Sequence, residues 1–101
     1  MNRCLRAVAI MTVTALFAGT AIAADPNLGR NLAATCANCH GTNGKSVGGT
    51  ESLAGMPKDK IVKTMAVFAS GDKPATLMHQ ISKGYSAEQV DAIATYLAAQ
   101  K

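Results

Sequence analysis

The sequence has 101 residues, of which 49% are hydrophobic and 16% are charged, with ten basic and six acidic side chains. This length suffices for one small domain, and it excludes a second domain of ordinary size and a large independent enzyme. Nine glycines and three prolines exclude collagen and a proline-rich disordered chain, while the absence of Trp and an aromatic content of 4% leave little material for a large core.

Residues 1–23 have the features of a secretory signal peptide. Arg3 and Arg6 form a positively charged start, an apolar run follows over 7–18, and a small-x-small cleavage pattern ends at Ala23. We therefore expect export to the periplasm, with cleavage after Ala23 or one residue later. An uncleaved membrane anchor fits less well, because the apolar stretch is short for a membrane span and contains Thr and Gly.

The mature domain predicted from this cleavage covers 24–101 and is close to neutral. Loss of the two leader arginines would leave eight basic against six acidic side chains, which lowers the net charge from +4 to +2. No basic run with interleaved aromatic residues remains, so we expect no nucleic-acid partner. We also expect no stable membrane insertion after cleavage. So small a domain usually needs a disulfide, a metal or a cofactor for stability.

The mature domain is predicted to open with a helix. Asp25 is expected to be its N-cap and Pro26 its first residue. Gly29 has no side chain, so we expect it to allow the last helix to approach closely, with Tyr96 filling the groove between the two helices.

The first helix leads into Cys36-Ala37-Asn38-Cys39-His40, the pattern for covalent attachment of c-type haem. Two thiols three positions apart lie close together on a helical turn, so both can form thioethers with the haem vinyl groups. The adjacent His40 can then supply an imidazole to the iron. A thioredoxin-like dithiol would need a βαβ setting, and a zinc site would need a second ligand pair. A structural disulfide is also possible in a secreted chain, but the histidine after the second cysteine favours haem.

A glycine-rich loop over 41–56 separates this motif from the second helix. It contains few large apolar residues, so we expect it to fold only against the apolar surface of a porphyrin. This leads to the hypothesis that the chain without haem is largely unfolded.

Helical patterns resume after this loop. Pro57 predicts the start of a helix over 58–70 that ends at Gly71. A shorter helix is predicted over about 75–83, and Gly84 should end it.

The last helix has the clearest signals. Ser86 and Gln89 have the spacing of a capping box, and an apolar stripe follows at helical spacing. The stripe consists of Val90, Ile93, Ala94 and Leu97. No segment alternates with the period of a strand. The chain is therefore predicted to be all-α, with about four helices around one haem.

The sixth position of the iron has several candidate ligands. Met78 follows His40 by enough chain to reach the opposite face of a haem, and we favour it. His79 and Met56 remain as alternatives. Met65 falls within the apolar pattern of the second helix and is expected to belong to the core.

Several of these segments together resemble class I bacterial c-type cytochromes. The segments are CANCHG at 36–41, LAG at 53–55, a later methionine, and a closing helix that ends in ATYL at 94–97. The resemblance covers essentially the whole predicted mature chain. A narrower similarity, through LAGM at 53–56 and TLMHQISKGYS at 76–86, is to the family of cytochrome subunits of flavocytochrome c sulfide dehydrogenase.

The resemblance implies a small all-α bundle around one covalently bound haem. It also implies Cys36, Cys39, His40 and Met78 as the haem contacts, with His40 and Met78 binding the iron. Many class I members have a proline in the loop after the motif, and its carbonyl orients the histidine. This chain has no proline between Gly41 and Met56, so the carbonyl partner of His40 is left open.

A haem held by histidine and methionine has no open position for a substrate, so the predicted function is one-electron transfer and not catalysis by this chain. Lys45, Lys73 and Lys83 would lie around the haem edge and attract an acidic redox partner. The partner is expected to be a redox protein, such as the flavoprotein subunit of a sulfide-oxidising complex. A free carrier between periplasmic enzymes is an alternative. A second alternative applies if Met78 does not reach the iron, because the haem would then have an open site for gas binding or catalysis.

Overall fold

The computed structural model describes residues 24–101, and the predicted signal peptide at 1–23 lies outside them. Five α-helices and no strand are found in this part of the chain. The helices are α1 (Leu28–Ala33), α2 (Ala37–His40), α3 (Lys58–Ser70), α4 (Met78–Ile81) and α5 (Ala87–Ala98). Short 3-10 turns occur at Ala34–Cys36, Thr42–Gly44 and Ser82–Gly84. The all-α prediction is confirmed.

The first helix begins later than predicted. Asn27, and not Asp25, is the N-cap of α1. The side-chain oxygen of Asp25 accepts a hydrogen bond from the backbone N–H of Asn27 at 2.8 Å, and its carbonyl accepts one from Leu28 at 3.1 Å. Aspartate forms local turns of this kind in competition with a helix, so Pro26 lies in a turn before α1. From Leu28 onward the chain is helical without a break to His40, as predicted.

The second predicted helix has the bounds expected from its sequence. α3 covers Lys58–Ser70 and ends at Gly71, whose φ of 83° is left-handed. The backbone N–H of Gly71 bonds to the carbonyl of Phe68, and that of Asp72 bonds to Val67, each at 3.1 Å. Glycine is favoured at this position because a Cβ would be strained there, so the stop signal and the structure agree.

The third helix is shorter than predicted. α4 contains only the four residues Met78–Ile81 and tightens into the 3-10 turn Ser82–Gly84, while 75–77 are not helical. A single helical turn is unstable in isolation, since nucleation fixes several residues for few hydrogen bonds. Packing against α3 therefore has to stabilise α4.

The capping box of the last helix is confirmed. The Ser86 hydroxyl accepts a hydrogen bond from the backbone N–H of Gln89 at 3.2 Å, and the Gln89 side chain accepts one from the backbone N–H of Ser86 at 2.8 Å. These bonds satisfy two donors at the helix start that would otherwise lack partners.

The core lies where α1, α3 and α5 meet. It is small, and its buried hydrophobic members are Ala33, Ile61, Ile93, Ala94 and Leu97. The predicted close approach at Gly29 is confirmed, because a Cβ there would lie 2.5 Å from the Ala92 carbonyl oxygen and 3.1 Å from the Tyr96 Cβ. The Tyr96 hydroxyl also donates a hydrogen bond of 2.6 Å to the side chain of Asn43. α5 thereby anchors both α1 and the turn that follows α2.

Candidate functional site

The two cysteines of the motif lie on one helical stretch. Cys36 ends the first 3-10 turn and is half-buried, while Cys39 lies in α2 and is exposed. Both thiols are free, so they do not form the structural disulfide considered as an alternative. Burial raises the pKa of the Cys36 thiol, because desolvation disfavours the charged thiolate.

The imidazole of His40 has a main-chain partner. Its Nδ1 lies 2.6 Å from the carbonyl oxygen of Glu51. A carbonyl oxygen can only accept, so Nδ1 carries the proton and the lone pair is on Nε2. This is the tautomer and the restraint expected of a histidine that binds a metal through Nε2. The open question of the carbonyl partner of His40 is thereby answered by a residue that is not proline.

The glycine-rich loop is ordered by backbone hydrogen bonds. Gly41 has a φ of 84°, and a Cβ at this position would overlap the backbone of Lys45. The carbonyl of Gly44 accepts hydrogen bonds from Leu53 at 2.7 Å and Ala54 at 3.1 Å. Gly55 donates to the carbonyl of Leu97 in α5 at 2.9 Å. These bonds bring the Glu51 carbonyl back to the end of α2.

The methionines differ in their surroundings. Met56 and Met65 both pack against the hydrophobic core. The Met65 sulfur also accepts a hydrogen bond of 3.4 Å from the hydroxyl of the buried Ser82. Met78 is half-buried at the start of α4, and among the side chains described for 24–101 it is not part of the group around the core. Because Met78 begins α4, it lies on a different helix from Cys39 and His40, which are in α2, and from Cys36, which ends the 3-10 turn before α2.

The second histidine, His79, lacks the restraint that His40 has. Its Nδ1 is buried, and it has no hydrogen-bond partner among the residues that the structure describes. A histidine that binds a metal through one nitrogen normally has the other nitrogen held by an acceptor. This difference separates the two histidines of the chain.

Comparison with known proteins identifies the family. The family model described as "Cytochrome c" matches residues 27–101. The chain belongs to the cytochrome c family. It is 34% identical, over 79% of each chain, to the "Cytochrome subunit of sulfide dehydrogenase" of Chlorobaculum tepidum.

Two further relatives have different names. The chain is 37% identical to the "Thiosulfate dehydrogenase electron acceptor" of Thiomonas intermedia, over 90% of this chain and 42% of that protein. It is 29% identical to "Cytochrome c-553" of Nitratidesulfovibrio vulgaris, over 96% of this chain and 97% of that protein. Membership of the cytochrome c family makes this chain an electron-transfer protein rather than an enzyme.

Membership of the cytochrome c family implies one covalently bound haem c with its iron. The residues present fit this group. Two free thiols have the spacing that two thioethers need, and a restrained imidazole follows them directly. Beside Met78, the side chains of Leu77 and Ile81 are 58% and 43% exposed, so an apolar surface suited to a porphyrin adjoins the candidate sulfur ligand. Among residues 24–101 no group of three or more His, Cys, Asp or Glu is placed to hold a metal ion.

The three lysines predicted at the haem edge are all exposed, namely Lys45, Lys73 and Lys83. The Lys73 ammonium lies 5.0 Å from the centre of the Phe68 ring. The ion pairs found in the described part of the cytochrome involve other lysines, with Lys58 paired to Asp91 at 2.7 Å and Lys60 to Glu51 at 3.9 Å. None of the helices described for 24–101 has the length and apolar character required to span a bilayer.

Proposed function

We propose that this chain is a periplasmic monohaem cytochrome that carries single electrons through a six-coordinate haem, with His40 and Met78 as the iron ligands. Cys36 and Cys39 would attach the haem. The hydrogen bond of 2.6 Å between His40 Nδ1 and the Glu51 carbonyl carries the proposal, because it presents Nε2 as a free ligand directly after two free thiols.

The choice of Met78 is supported by what the other methionines do. The Met65 sulfur is hydrogen-bonded to Ser82 within the packed part of α3, and Met56 packs against the core. Moving either side chain to an iron would therefore remove existing packing against the core, which is unfavourable. Met78 has no such engagement with the core and lies between two exposed apolar residues, Leu77 and Ile81.

His79 is disfavoured as the second iron ligand. Its Nδ1 is buried without a partner in the described residues, so nothing fixes the ring for coordination through Nε2. Binding through Nδ1 would need the buried nitrogen to reach the iron. The restrained His40 and the unrestrained His79 therefore support different roles for the two rings.

The haem supplies one-electron redox chemistry when it is bound. The residues of the chain would set its properties. Met78 sulfur raises the reduction potential relative to a second histidine. The Glu51 carbonyl holds the His40 ring in one orientation and keeps the proton on Nδ1. With His40 and Met78 both bound to the iron, no ligand position would remain for a substrate, which suits a carrier of electrons.

The absorption spectrum of the loaded protein tests the ligand set. We expect a low-spin spectrum with a charge-transfer band from methionine sulfur to ferric iron. The variant Met78→Ala should lose this band, become high-spin and bind carbon monoxide readily. The control His79→Ala should retain the band. A high-spin spectrum in the unmodified protein would indicate the open-site alternative, and an unchanged spectrum in Met78→Ala would exclude Met78.

The partner is proposed to be a flavoprotein that oxidises sulfide, with this chain as its haem subunit. The name of the C. tepidum relative supports this proposal. The Thiomonas relative, named as an electron acceptor, favours a second candidate in which the cytochrome is a free carrier. Purification of the tagged, haem-loaded protein from its natural host separates the two. A flavin-containing chain that remains bound and reduces the haem when sulfide is added supports the subunit role. A monomer without flavin supports the free carrier.

The periplasmic location is part of the same proposal and rests on the features of residues 1–23. Mass spectrometry of the protein from a periplasmic extract tests it. The expected mass is that of a chain beginning at residue 24 or 25 plus one haem. A haem-containing chain that retains residues 1–23 in the membrane fraction would contradict it.

A further inference from the structure

Tyr85 connects two distant parts of the chain through its hydroxyl group. Its oxygen lies 2.8 Å from the Oγ1 of Thr35, fifty residues away in the sequence. The Thr35 hydroxyl is also 3.1 Å from the carbonyl oxygen of Leu32. Since the carbonyl can only accept, the Thr35 proton points to Leu32, and Tyr85 donates to Thr35. The Tyr85 ring is half-buried and packs against the hydrophobic core, which limits its movement.

Thr35 and Tyr85 lie next to two different parts of the proposed haem site. Thr35 directly precedes Cys36, the first attachment residue. Tyr85 directly follows the 3-10 turn Ser82–Gly84, which continues the short helix that begins at Met78. The hydrogen bond therefore joins the segment that would hold the haem covalently to the segment that would hold the iron from the other side.

Few other hydrogen bonds hold the Met78 segment in place. In the part of the chain that the structure describes, two side-chain hydrogen bonds connect residues 77–85 to other elements. The bond from Ser82 to the Met65 sulfur leads to α3. Of these two bonds between described residues, the one from Tyr85 to Thr35 leads to the helical stretch with the cysteines. α4 itself has four residues and too few hydrogen bonds of its own to keep its position.

We propose that Tyr85 and Thr35 form a latch that positions the Met78 segment and keeps the Met78 sulfur on the haem iron. This inference rests on the proposed ligation by Met78. Tyr85 and Thr35 are positioning residues that touch neither the iron nor a substrate, and they act by opposing the movement of Met78 away from the metal. Opening of the latch is the step that allows an external ligand to replace the sulfur.

Imidazole provides the probe, because it competes with methionine for ferric haem iron. The haem-loaded variants Tyr85→Phe and Thr35→Val each remove the hydrogen bond with little change of shape. We expect each to bind imidazole about threefold to tenfold more tightly, the factor that corresponds to the net stability of one hydrogen bond. The double variant should bind imidazole no more tightly than the stronger single variant, because both changes break the same bond. Thr35 is exposed, so Thr35→Val keeps the test available if Tyr85→Phe folds poorly.

Tyr96→Phe is the matched control, since it removes a tyrosine hydrogen bond of 2.6 Å to Asn43 that does not involve the Met78 segment. Its affinity for imidazole should equal that of the unmodified protein. An unchanged affinity in Tyr85→Phe and Thr35→Val, additive effects in the double variant, or an equal increase in Tyr96→Phe would overturn the latch. Absence of the sulfur-to-iron band in the unmodified protein would instead overturn the ligation by Met78, and the latch with it.

Discussion

His40 Nδ1 and the main-chain oxygen of Glu51 are 2.6 Å apart, although Glu51 follows His40 by eleven positions. The segment between the two residues contains no proline. The contact depends on the backbone of the loop and not on the Glu51 side chain. The loop is brought to this position by the hydrogen bonds around Gly44 and by the bond from Gly55 to α5. The orientation of the proposed iron ligand is thus a property of the loop conformation.

Glu51→Ala should leave the haem spectrum and the reduction potential unchanged, because the main-chain acceptor of His40 is kept. Within residues 24–101 the Glu51 carboxylate pairs only with Lys60, at 3.9 Å and with both side chains exposed. An exposed ion pair contributes about 0–1 kcal/mol to stability, so the free energy of unfolding should fall by at most about 1 kcal/mol. Urea unfolding and potentiometric titration check the two expectations. A clear shift of the potential would show that the carboxylate, and not only the carbonyl, acts on the haem.

Gly29→Ala should destabilise the fold by about 1–3 kcal/mol, the usual range for overpacking a close contact. The added methyl group would lie 2.5 Å from the Ala92 carbonyl oxygen, and backbone cannot move aside as a side-chain end can. Gly84→Ala is the matched control, because no heavy atom lies within 4 Å of a Cβ there. Thermal unfolding of the two variants should differ accordingly. Equal melting temperatures would mean that α1 and α5 can move apart to make room for the methyl group without a loss of stability.

Ser86→Ala should cost about 0.5–2 kcal/mol of stability, since it removes the side-chain acceptor of the α5 capping box. Ser86→Asp is the control, because its carboxylate can accept the same hydrogen bond from Gln89 and also favours a helix N-terminus. Chemical denaturation measures both. A loss of stability in Ser86→Asp as large as that in Ser86→Ala would contradict the role of the cap.

The parts of the fold that could be predicted from the sequence are those with strong local signals. α3 and α5 have long apolar stripes, and their ends are marked by Gly71 and Ser86. α1 begins later than predicted because Asp25 suits both an N-cap and a turn, and in the structure its side chain bonds to the backbone N–H of Asn27 in a turn. The short α4 could not be bounded because contacts with α3, and not its own hydrogen bonds, stabilise it.

The sequence predicts those parts of the candidate site that consist of side chains in a characteristic spacing. It does not predict the parts that consist of backbone atoms. The spacing of Cys36, Cys39 and His40 predicts the haem motif directly. The Glu51 carbonyl leaves no mark in the sequence, since every residue has a carbonyl. The Tyr85 contact with Thr35 joins residues fifty positions apart, and no local pattern reports such a distance.

Removal of the haem should unfold the chain. Among residues 24–101 the core contains five buried hydrophobic residues, and Leu77 and Ile81 remain exposed beside Met78. A domain with so little buried apolar surface has difficulty offsetting the conformational entropy lost on folding, so the porphyrin should supply the remaining apolar contacts. We expect the double variant Cys36→Ala/Cys39→Ala, isolated without haem, to have low helicity and no cooperative melt by circular dichroism. Cys36→Ala alone, still attached through Cys39, should retain helicity and a cooperative melt at a lower temperature. Native-like helicity and a cooperative transition in the double variant would show that α1, α3 and α5 suffice without the cofactor.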